Sequence, residues 1–308
     1  MSKIITITFS PSIDKSASVP AMLSDIKMRC SAPNTEPGGG GINVARVIKR
    51  LGGDVKAIFP SGGYTGMFLN HLLEEEKVPF ESIKTKNETR ENFVVFDEST
   101  KKEYRFGMPS NEIFEDEWQL MIKEIEEYEY VDFIIASGSL SVGIPLNIYE
   151  ELSKISKSKN AKLIVDTSGK ALNYAVNQGV YLLKPNLEEL GILLEIENLK
   201  IENVEAAAKK LIQKKHCEII VVSLGANGAM LITKEESHTI KPPKVKVKST
   251  IGAGDSMVAG IVFGLSNNLS LKECLQYGIA CGTATTMNSD SALCKKKDVL
   301  KLLKNIKS

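Results

Sequence analysis

The residues from Ser249 to Ser256 place an acid directly after a loop that could bind an anion. They read Ser-Thr-Ile-Gly-Ala-Gly-Asp-Ser, between a predicted strand at Lys244–Lys248 and an apolar run at Met257–Leu265 that predicts a helix. The start of a helix offers unpaired N–H groups and about half a positive charge, which suit a phosphate. The same charge should keep Asp255 ionised and able to accept a proton. The alternative is an N-cap aspartate after a glycine turn.

A second glycine loop, Gly38–Gly41, precedes a predicted helix at Ile42–Leu51. Four consecutive glycines are entropically unfavourable in folding. They are therefore expected where the backbone must approach a ligand closely. Asn43 in the first turn could hydrogen-bond a sugar hydroxyl, and a flexible hinge would explain the glycines but not Asn43. Neither glycine loop fits the pattern of a P-loop or of a dinucleotide site.

Two further motifs follow predicted strands in the second half of the chain. Asn186 and Glu189 lie three residues apart, so they share a helix face. An amide and a carboxylate there could hold a hydrated Mg²⁺, which needs few protein ligands, but they would make an equally good helix cap. The turn after the next strand suits backbone contacts with a nucleotide, through Ser223, Gly225 and Gly228.

An alternation of strands and helices must position these motifs. Continuous apolar runs predict strands that are buried on both faces, at Val131–Ala136, Leu163–Asp166, Tyr181–Leu183 and Ile219–Ser223. Helical patterns lie between or beside them, at Asn147–Ser156, Ala171–Asn177, Leu187–Glu195 and Val204–Lys214. The alternation predicts an α/β fold with a mainly parallel sheet, where ligands bind beyond the carboxyl ends of the strands. Antiparallel edge strands are predicted at Ala229–Thr233 and His238–Ile240, and helices from Leu271 onward.

Two segments near the start interrupt this alternation. Asp14–Glu36 has no good helix, and Asn87–Met108 contains two runs typical of strands. Long insertions in compact domains are often lids, so we expect a small β-sheet lid, with surface decoration as the alternative. No repeat or linker divides the chain, and residues 1–308 are therefore predicted to form one domain that carries the lid.

The composition argues against several classes of function. The chain has 39 basic and 38 acidic side chains among 308 residues, so no broad electrostatic field indicates nucleic acid or a membrane as a partner. Five cysteines without C-x-x-C spacing argue against a zinc site or a disulfide framework. Each histidine is expected at the surface or in packing, at His71, His216 and His238. No apolar run reaches about 20 residues, and the N-terminus lacks the basic-then-apolar pattern of a signal peptide. We therefore expect a soluble, cytoplasmic protein.

Five motifs together resemble those of the ribokinase-like (PfkB) carbohydrate kinases. They occur in that family's order across nearly the whole chain, at Gly38–Asn43, Ser137–Leu140, Lys184–Glu189, Ser223–Gly225 and Gly252–Asp255. The resemblance implies a three-layer α/β/α domain with a small lid sheet. Within the family, Thr8–Asp14 and Lys27–Cys30 look like the branch that acts on phosphorylated hexoses, and the likeness is greatest to the ribokinase-type 6-phosphofructokinases.

The resemblance also implies a role for each motif. Asp255 would take the proton from the C1 hydroxyl of fructose 6-phosphate as that oxygen attacks the γ-phosphorus of ATP. Backbone N–H groups would hold the growing negative charge, at Gly252, Ala253 and Gly254. Sugar hydroxyls would be bound by Asp14, Gly38, Gly39, Asn43 and Ser139. The nucleotide would be lined by Lys184, Asn186, Ser223, Gly225, Gly228 and Asn288, with Mg²⁺ at Asn186 and Glu189.

The 6-phosphate of the sugar needs cations, and the lid segments carry several. Lys27 and Arg29 are predicted to share one face of a strand, at positions i and i+2, and Arg90 lies in the second lid segment. Two or three cations around a phosphate dianion are the expected arrangement, with solvated surface charges as the alternative. In related kinases the lid often packs against that of a second subunit, so the resemblance implies a homodimer.

Some alternatives stay open. Tagatose-6-phosphate kinases and 1-phosphofructokinases commonly have lysine where this chain has Gly40, which favours fructose 6-phosphate. The 6-phosphofructokinase pattern has a glycine and an arginine shortly after Asn288, whereas Asp290 and Ala292 stand here and weaken the case for a K⁺ site. A non-catalytic sugar-phosphate sensor is a different class of protein, and it predicts loss of the base or of the anion loop.

Overall fold

The computed structural model describes residues 2–214, 217–289 and 292–307. Within these ranges the strands are β1 (Lys3–Ile7), β2 (Ser12–Val19), β3 (Asn34–Gly38), β4 (Asp54–Gly62), β5 (Phe80–Thr85), β6 (Arg90–Asp97), β7 (Lys102–Phe106), β8 (Phe133–Ser137), β9 (Lys162–Asp166), β10 (Val180–Leu183), β11 (Cys217–Ser223), β12 (Ala229–Ile232) and β13 (Ser237–Ile240). The helices are α1 (Gly40–Leu51), α2 (Gly63–Glu75), α3 (Glu115–Glu126), α4 (Ile148–Ser158), α5 (Gly169–Val176), α6 (Leu187–Leu193), α7 (Val204–Gln213), α8 (Ala253–Ser266), α9 (Leu271–Thr286) and α10 (Lys296–Lys307). His216 and Asp290, on which expectations about packing and a K⁺ site depend, lie outside the described residues.

One large sheet organises the described part of the chain. Its order is β13-β12-β11-β10-β9-β8-β1-β4-β5, and its neighbours are parallel except where β12 meets β11 and β13. The carboxyl ends of the parallel strands therefore share one edge, where ligands bind in open α/β sheets. The predicted parallel sheet and its two antiparallel edge strands are confirmed.

The main sheet is covered by helices on both faces. In β8, Ile135 packs in a cluster with residues of α1, α8 and α9, whereas Ile134 packs with residues of α3, α4 and α7. Successive side chains of a strand point to opposite faces, so a strand that is apolar at every position contributes to both clusters. The result is a three-layer α/β/α structure, as expected. None of the helices in the described ranges is long and apolar enough to cross a membrane.

The two interrupting segments form a second sheet, which we call the small sheet, in the order β3-β2-β6-β7. Its central pair, β2 and β6, is parallel, and the two outer strands are antiparallel to their neighbours. Because β2 follows the carboxyl end of β1, and β6 follows that of β5, the small sheet is attached at the edge where the main sheet would bind a ligand.

The strand predicted at Lys244–Lys248 does not form. Pro242 and Pro243 precede it and lack the N–H group that a strand ladder needs. The segment instead runs past the end of α9, where Lys248 N donates to Thr286 O at 2.8 Å. The alternation of valine and lysine here therefore accompanies an extended segment that lies outside both sheets.

Candidate active site

Residues at the ends of three neighbouring strands meet at the carboxyl edge of the main sheet. Ser137 ends β8, Asp166 ends β9, and Lys184 directly follows β10. Gly138 N donates to Asp166 O at 2.9 Å, and Lys184 Nζ lies 3.1 Å from Asp166 Oδ1. The loop before α8 closes this edge, because a Cβ placed on Gly254 would lie 3.6 Å from Lys184 Nζ.

Asp255 lies in the first turn of α8, half-buried at this edge. Asn43 Nδ2 donates to Asp255 Oδ2 at 2.9 Å, across 212 positions of the sequence. The N-cap of α8 is Gly252, with a left-handed φ of 70°. The interpretation of Asp255 as an N-cap is therefore wrong, and its carboxylate is engaged by α1 instead.

The surroundings of Asp255 raise its pKa to about 6. Burial is the largest cause and the Asp166 carboxylate adds repulsion, while the Asn43 hydrogen bond and Lys184 act in the opposite direction. A helix N-terminus favours the ionised form, but burial and like charge outweigh it here, so the pKa of Asp255 lies above its ordinary value. A base with this pKa remains mostly ionised at pH 7 and is well matched to proton transfer near neutrality.

The loop before α8 presents free backbone donors. Among the described residues, the N–H groups of Gly252 and Gly254 donate to no protein acceptor, and Ala253 N has only a long contact of 3.4 Å with Thr250 O. Such N–H groups at a helix start can be satisfied by an anion. Lys184, which is 7 % exposed, adds a positive charge beside Gly254. The loop can therefore hold a phosphoryl group.

Lys184 and Asp166 form a buried ion pair behind this loop. Burial acts to lower the pKa of Lys184, but Asp166, and then Asp255 and Glu189, raise it on balance. Burial raises the pKa of Asp166 despite the lysine. Sequence reasoning assigned no role to Asp166, although an acid at the end of an apolar strand is a signal that could have found it.

Asn186 and Glu189 form a reciprocal capping box at the start of α6. Glu189 N donates to Asn186 Oδ1, and Asn186 N donates to Glu189 Oε2, both at 2.8 Å. The capping alternative is therefore confirmed for these two oxygens. Within the described residues, Glu189 Oε1 takes no part in the cap, so the carboxylate can still face a cation through one oxygen.

The last glycines of the first loop pack against the protein itself. A Cβ on Gly40 would lie 2.5 Å from Ser137 Oγ, and one on Gly41 would overlap the Ile7 carbonyl. Contacts this short exclude any side chain. These glycines thus allow α1 to approach β1 and β8, and the close approach of this loop to a ligand stays a prediction.

Asp14 is the acid that lies against the first glycine loop. Its Oδ1 accepts hydrogen bonds from Ser12 Oγ at 2.8 Å and from Asn92 Nδ2 at 2.9 Å. Its Oδ2 lies against Gly38, where a Cβ would be 2.5 Å away. The following residue, Gly39, has a φ of 111° that favours glycine. Within the described part of the chain, Oδ2 of Asp14 is therefore left for a further donor.

Arg90 joins the small sheet to the main sheet. Its Nη1 donates to Met108 O at 3.0 Å and its Nη2 to Ser10 O at 3.3 Å, while its buried Nε has no partner among the described residues. Burial lowers the pKa of this half-buried arginine, and Asp14 acts in the opposite direction. A buried donor without a partner suits an oxygen of a ligand.

Lys27 and Arg29 do not share a strand face, contrary to the sequence-based expectation. Residues 21–33 form no strand, and Asp25 has a φ of 59°, which interrupts an extended run. Both cations are exposed. Ser139 is also exposed, just beyond β8. Asp14, by contrast, lies close enough to Arg90 and to Asp255 to influence the pKa of each.

The residues expected to line a nucleotide follow β11 and α9. Gly225 begins a short 3₁₀ turn after Ser223, with a φ of 57° and no atom near the position of a Cβ. Gly228 N donates to Gly225 O at 3.0 Å, so that amide serves the turn. Asn288 Nδ2 donates to two carbonyl groups, both at 3.3 Å.

Arg105 in β7 reaches from the small sheet to the anion loop, which no sequence motif indicated. Its Nη2 donates to Thr250 Oγ1 at 3.1 Å across 145 positions, and it pairs with Glu103 at 2.9 Å. The small sheet, which carries Asp14 in β2, therefore also touches the loop before α8.

Residues 8–298 match the model of the pfkB family of carbohydrate kinases. The chain belongs to this family. It is similar to the ATP-dependent 6-phosphofructokinase isozyme 2 of Escherichia coli, with 40% identity over 98% of each chain. A crystal structure of phosphofructokinase-2 from Escherichia coli in complex with substrates and products has a TM-score of 0.96 at 39% identity, covering 99% of this chain and 100% of that one.

Family members with other named substrates also match. The 1-phosphofructokinase of Bacillus subtilis is 31% identical over 93% of each chain, and a tagatose-6-phosphate kinase of Staphylococcus epidermidis is 30% identical over 94% of this chain and 93% of its own. The ribokinase-like fold and the carbohydrate kinase class expected from the sequence are confirmed. Membership of the family does not by itself decide among these sugar phosphates.

Proposed function

We propose that the protein transfers the γ-phosphoryl group of ATP to the C1 hydroxyl of fructose 6-phosphate, which gives fructose 1,6-bisphosphate. The observation that carries the proposal is Asp255, held by Asn43 beside the free N–H groups of Gly252 and Gly254. A base and an anion hole within one helical turn are what an in-line transfer to a hydroxyl requires. Similarity to a 6-phosphofructokinase over nearly the whole length supports this sugar.

The hydroxyl proton would pass to Asp255 as the sugar oxygen attacks phosphorus. Oδ2 is held by Asn43, which leaves Oδ1 for the hydroxyl. The N–H groups of Gly252, Ala253 and Gly254 would hold the charge that grows on the transferred group. A positioned base contributes about 10²–10⁴-fold to such a step, and each preorganised donor contributes about 3 kcal/mol.

The phosphates of ATP would lie between the anion loop and the start of α6. Lys184 supplies a buried positive charge, and Asn186 and Glu189 are the residues that would hold Mg²⁺ through the carboxylate oxygen outside the capping box. The described residues contain no group of three or more His, Cys, Asp or Glu that could hold a metal. Mg²⁺ needs fewer protein ligands because it keeps several waters, so Asn186 and Glu189 fit it. When bound, it would neutralise phosphate charge. The nucleotide would further contact Ser223, Gly225, Gly228 and Asn288.

The 6-phosphate of the sugar would bind under the small sheet, which would then act as a lid. The free Nε of Arg90 supports this placement, and Lys27 and Arg29 would add charge from the exposed loop between β2 and β3. We expect Arg90→Ala and Lys27→Ala to raise KM for the sugar phosphate about tenfold or more while KM for ATP changes little. Equal changes in both KM values would contradict a phosphate site at the lid.

A second copy of the chain would cover the small sheet. Its strands carry exposed aromatic side chains, at Phe93, Tyr104 and Phe106, and large apolar side chains exposed together are typical of interaction surfaces. We therefore propose a homodimer through the lid, which sedimentation at several concentrations would test. The cytoplasmic location expected from the sequence stays a prediction.

A K⁺ requirement is expected to be weak. Another crystal structure of the Escherichia coli enzyme is a complex with potassium. This chain has Asp290 and Ala292 where the family pattern has a glycine and an arginine. Turnover measured in Na⁺ and in K⁺ would check the expectation, and a large gain in K⁺ would contradict it.

The test of the reaction is ADP release from Mg²⁺-ATP with each sugar phosphate in turn. We expect kcat/KM to be highest for fructose 6-phosphate, and its ratio to tagatose 6-phosphate is the decisive number because the two differ only at C4. A higher value for tagatose 6-phosphate or fructose 1-phosphate would reassign the substrate within the family. Binding without turnover of any of the three would support the sensor alternative.

A further inference from the structure

Arg46 in α1 is fully buried, at 0 % exposure. Its guanidinium pairs with Glu36 of β3 and with Glu76 just after α2, and its Nη1 donates to Pro37 O at 2.9 Å. Burial acts to lower the pKa of Arg46, but the two carboxylates raise it on balance. Burying such a group is unfavourable, and a buried ion pair is weak evidence for a stabilising role. Its position one turn from Asn43 points to a second role.

Asn43 lies between Arg46 and Asp255. Its Oδ1 accepts from Arg46 Nη1 at 3.4 Å, and its Nδ2 donates to Asp255 Oδ2 at 2.9 Å. The amide is 8 % exposed, so water has little access to it. A guanidinium can only donate and an ionised carboxylate can only accept. The amide therefore has a single favourable orientation while both neighbours are charged.

We propose that Arg46 is a positioning residue for the base. It fixes the Asn43 amide so that its N–H group points to Asp255, and it ties that amide to Glu36 of the small sheet. This inference rests on the proposed function, because it assigns Arg46 its effect through Asp255. The same contacts connect β3 to the base, because Glu36 pairs with Arg46, Arg46 donates to Asn43, and Asn43 donates to Asp255.

The other charged groups that face Asp255 set the direction of the effect. Asp166 and Asp14 favour its neutral form, and Lys184 favours its ionised form, from three different elements. Loss of Arg46 leaves these three in place but lets Asn43 turn its carbonyl oxygen towards a protonated Asp255. The apparent pKa of the base should therefore rise.

The experiment compares Arg46→Met with a matched control, Arg50→Met. Arg50 also pairs with Glu76, at 3.0 Å, but it is 30 % exposed and makes none of the Asn43 contacts. We expect Arg46→Met to move the acid limb of kcat from about pH 6 to about pH 7, which lowers kcat about tenfold at pH 5 but only about twofold at pH 7, with small changes in KM. Arg46→Met loses two ion pairs and Arg50→Met loses one, so both should melt earlier, and only Arg46→Met should move the pH profile.

Carbon-13 NMR of labelled aspartate gives a readout that needs no turnover, with the Asp255 signal assigned by its absence in Asp255→Asn. A pKa of Asp255 that is the same in the wild type and in Arg46→Met would overturn the inference. If Arg46→Met does not fold, Arg46→Lys serves: it keeps one charge but cannot reach both glutamates and Asn43, so a partial rise is expected, and no rise overturns the inference.

The same data separate two kinds of failure. Near-normal turnover in Asp255→Asn would remove the base, and the role of Arg46 with it. Loss of turnover in Asp255→Asn together with unaltered profiles in both Arg46 variants would remove only the role of Arg46.

Discussion

The two glycine loops of this protein use their glycines differently. In the loop before α1, a Cβ on Gly40 or Gly41 would collide with the ends of β1 and β8. In the loop before α8, a Cβ on Gly252 would lie 2.6 Å from Leu293 Cδ2, but one on Gly254 would meet only the end of the Lys184 side chain, 3.6 Å from its Nζ. The first loop therefore needs glycine so that two parts of the protein can pack. At Gly254 the second loop instead leaves space, and that space is available to a ligand.

The largest expected effect is that of Asp255→Asn, which removes the basic carboxylate from the first turn of α8 and replaces it with an amide of nearly the same shape. We expect kcat to fall about 10³-fold, since a positioned base supplies 10²–10⁴, with little change in KM for the sugar. Steady-state kinetics measure this, and thermal unfolding should show a protein at least as stable as the wild type. Turnover within tenfold of the wild type would remove Asp255 from the role of base.

Gly41→Ala should act on folding. The new methyl group would overlap the Ile7 carbonyl, so α1 would have to move away from β1, and we expect the free energy of unfolding to fall by about 3 kcal/mol or more. For a domain of this size that is roughly 6–12 °C in Tm. Calorimetry of the purified variant is the measurement. An unchanged Tm would show that the first loop can yield, and the contrast between the loops would be lost.

Gly254→Ala should show the reverse pattern. The position lies in the first turn of α8 with room for a methyl group, so stability should change by less than about 0.5 kcal/mol. The methyl group would take up space beside Lys184 where we place the phosphoryl group, and kcat/KM for ATP should fall about tenfold, or 1.4 kcal/mol. Wild-type kinetics in this variant would contradict an anion site at this loop.

A smaller effect is expected from pH. The unfolded Asp255 carboxyl titrates near 3.9 and the folded one has a pKa of about 6, so between these values the folded chain holds a proton that the unfolded chain has released. The contribution of this group to stability is therefore present at low pH and is lost as pH rises from about 4 to about 6. Because the site is partly solvated, we expect about 1 kcal/mol. The difference in Tm between wild type and Asp255→Asn, followed from pH 4.5 to 7.5, should widen in favour of the variant as pH rises.

Much of the fold follows from periodicity. Strands buried on both faces are apolar at every position, and this pattern correctly predicted β8, β9, β10 and β11 with the helices between them. Periodicity failed where the chain is extended without a partner, as at Lys244–Lys248, and where a bend interrupts an exposed loop, as at Asp25 before Lys27 and Arg29.

The site was predictable only in part. Sequence motifs identify Asp255 and Lys184 because each stands at the boundary of a predicted element. They could not show that Asn43 engages Asp255 or that Arg105 touches Thr250, because these pairs lie 212 and 145 positions apart. Nor could they separate ligand access from packing in the first glycine loop, since both demand a backbone without side chains.

The long separation of Asn43 from Asp255 has a consequence for synthesis. α1 is among the first elements to leave the ribosome, and its inward face, with Ile42 and Ile48, packs in the cluster that α8 completes with Val258 and Ile261. Until α8 has been translated, the part of that face that α8 covers stays exposed. Contacts this distant in sequence form late, and exposed apolar faces in nascent chains promote aggregation. Newly made chains should therefore be prone to aggregation until Ala253–Ser266 has emerged, and no fragment that ends before α8 could hold a base at Asn43.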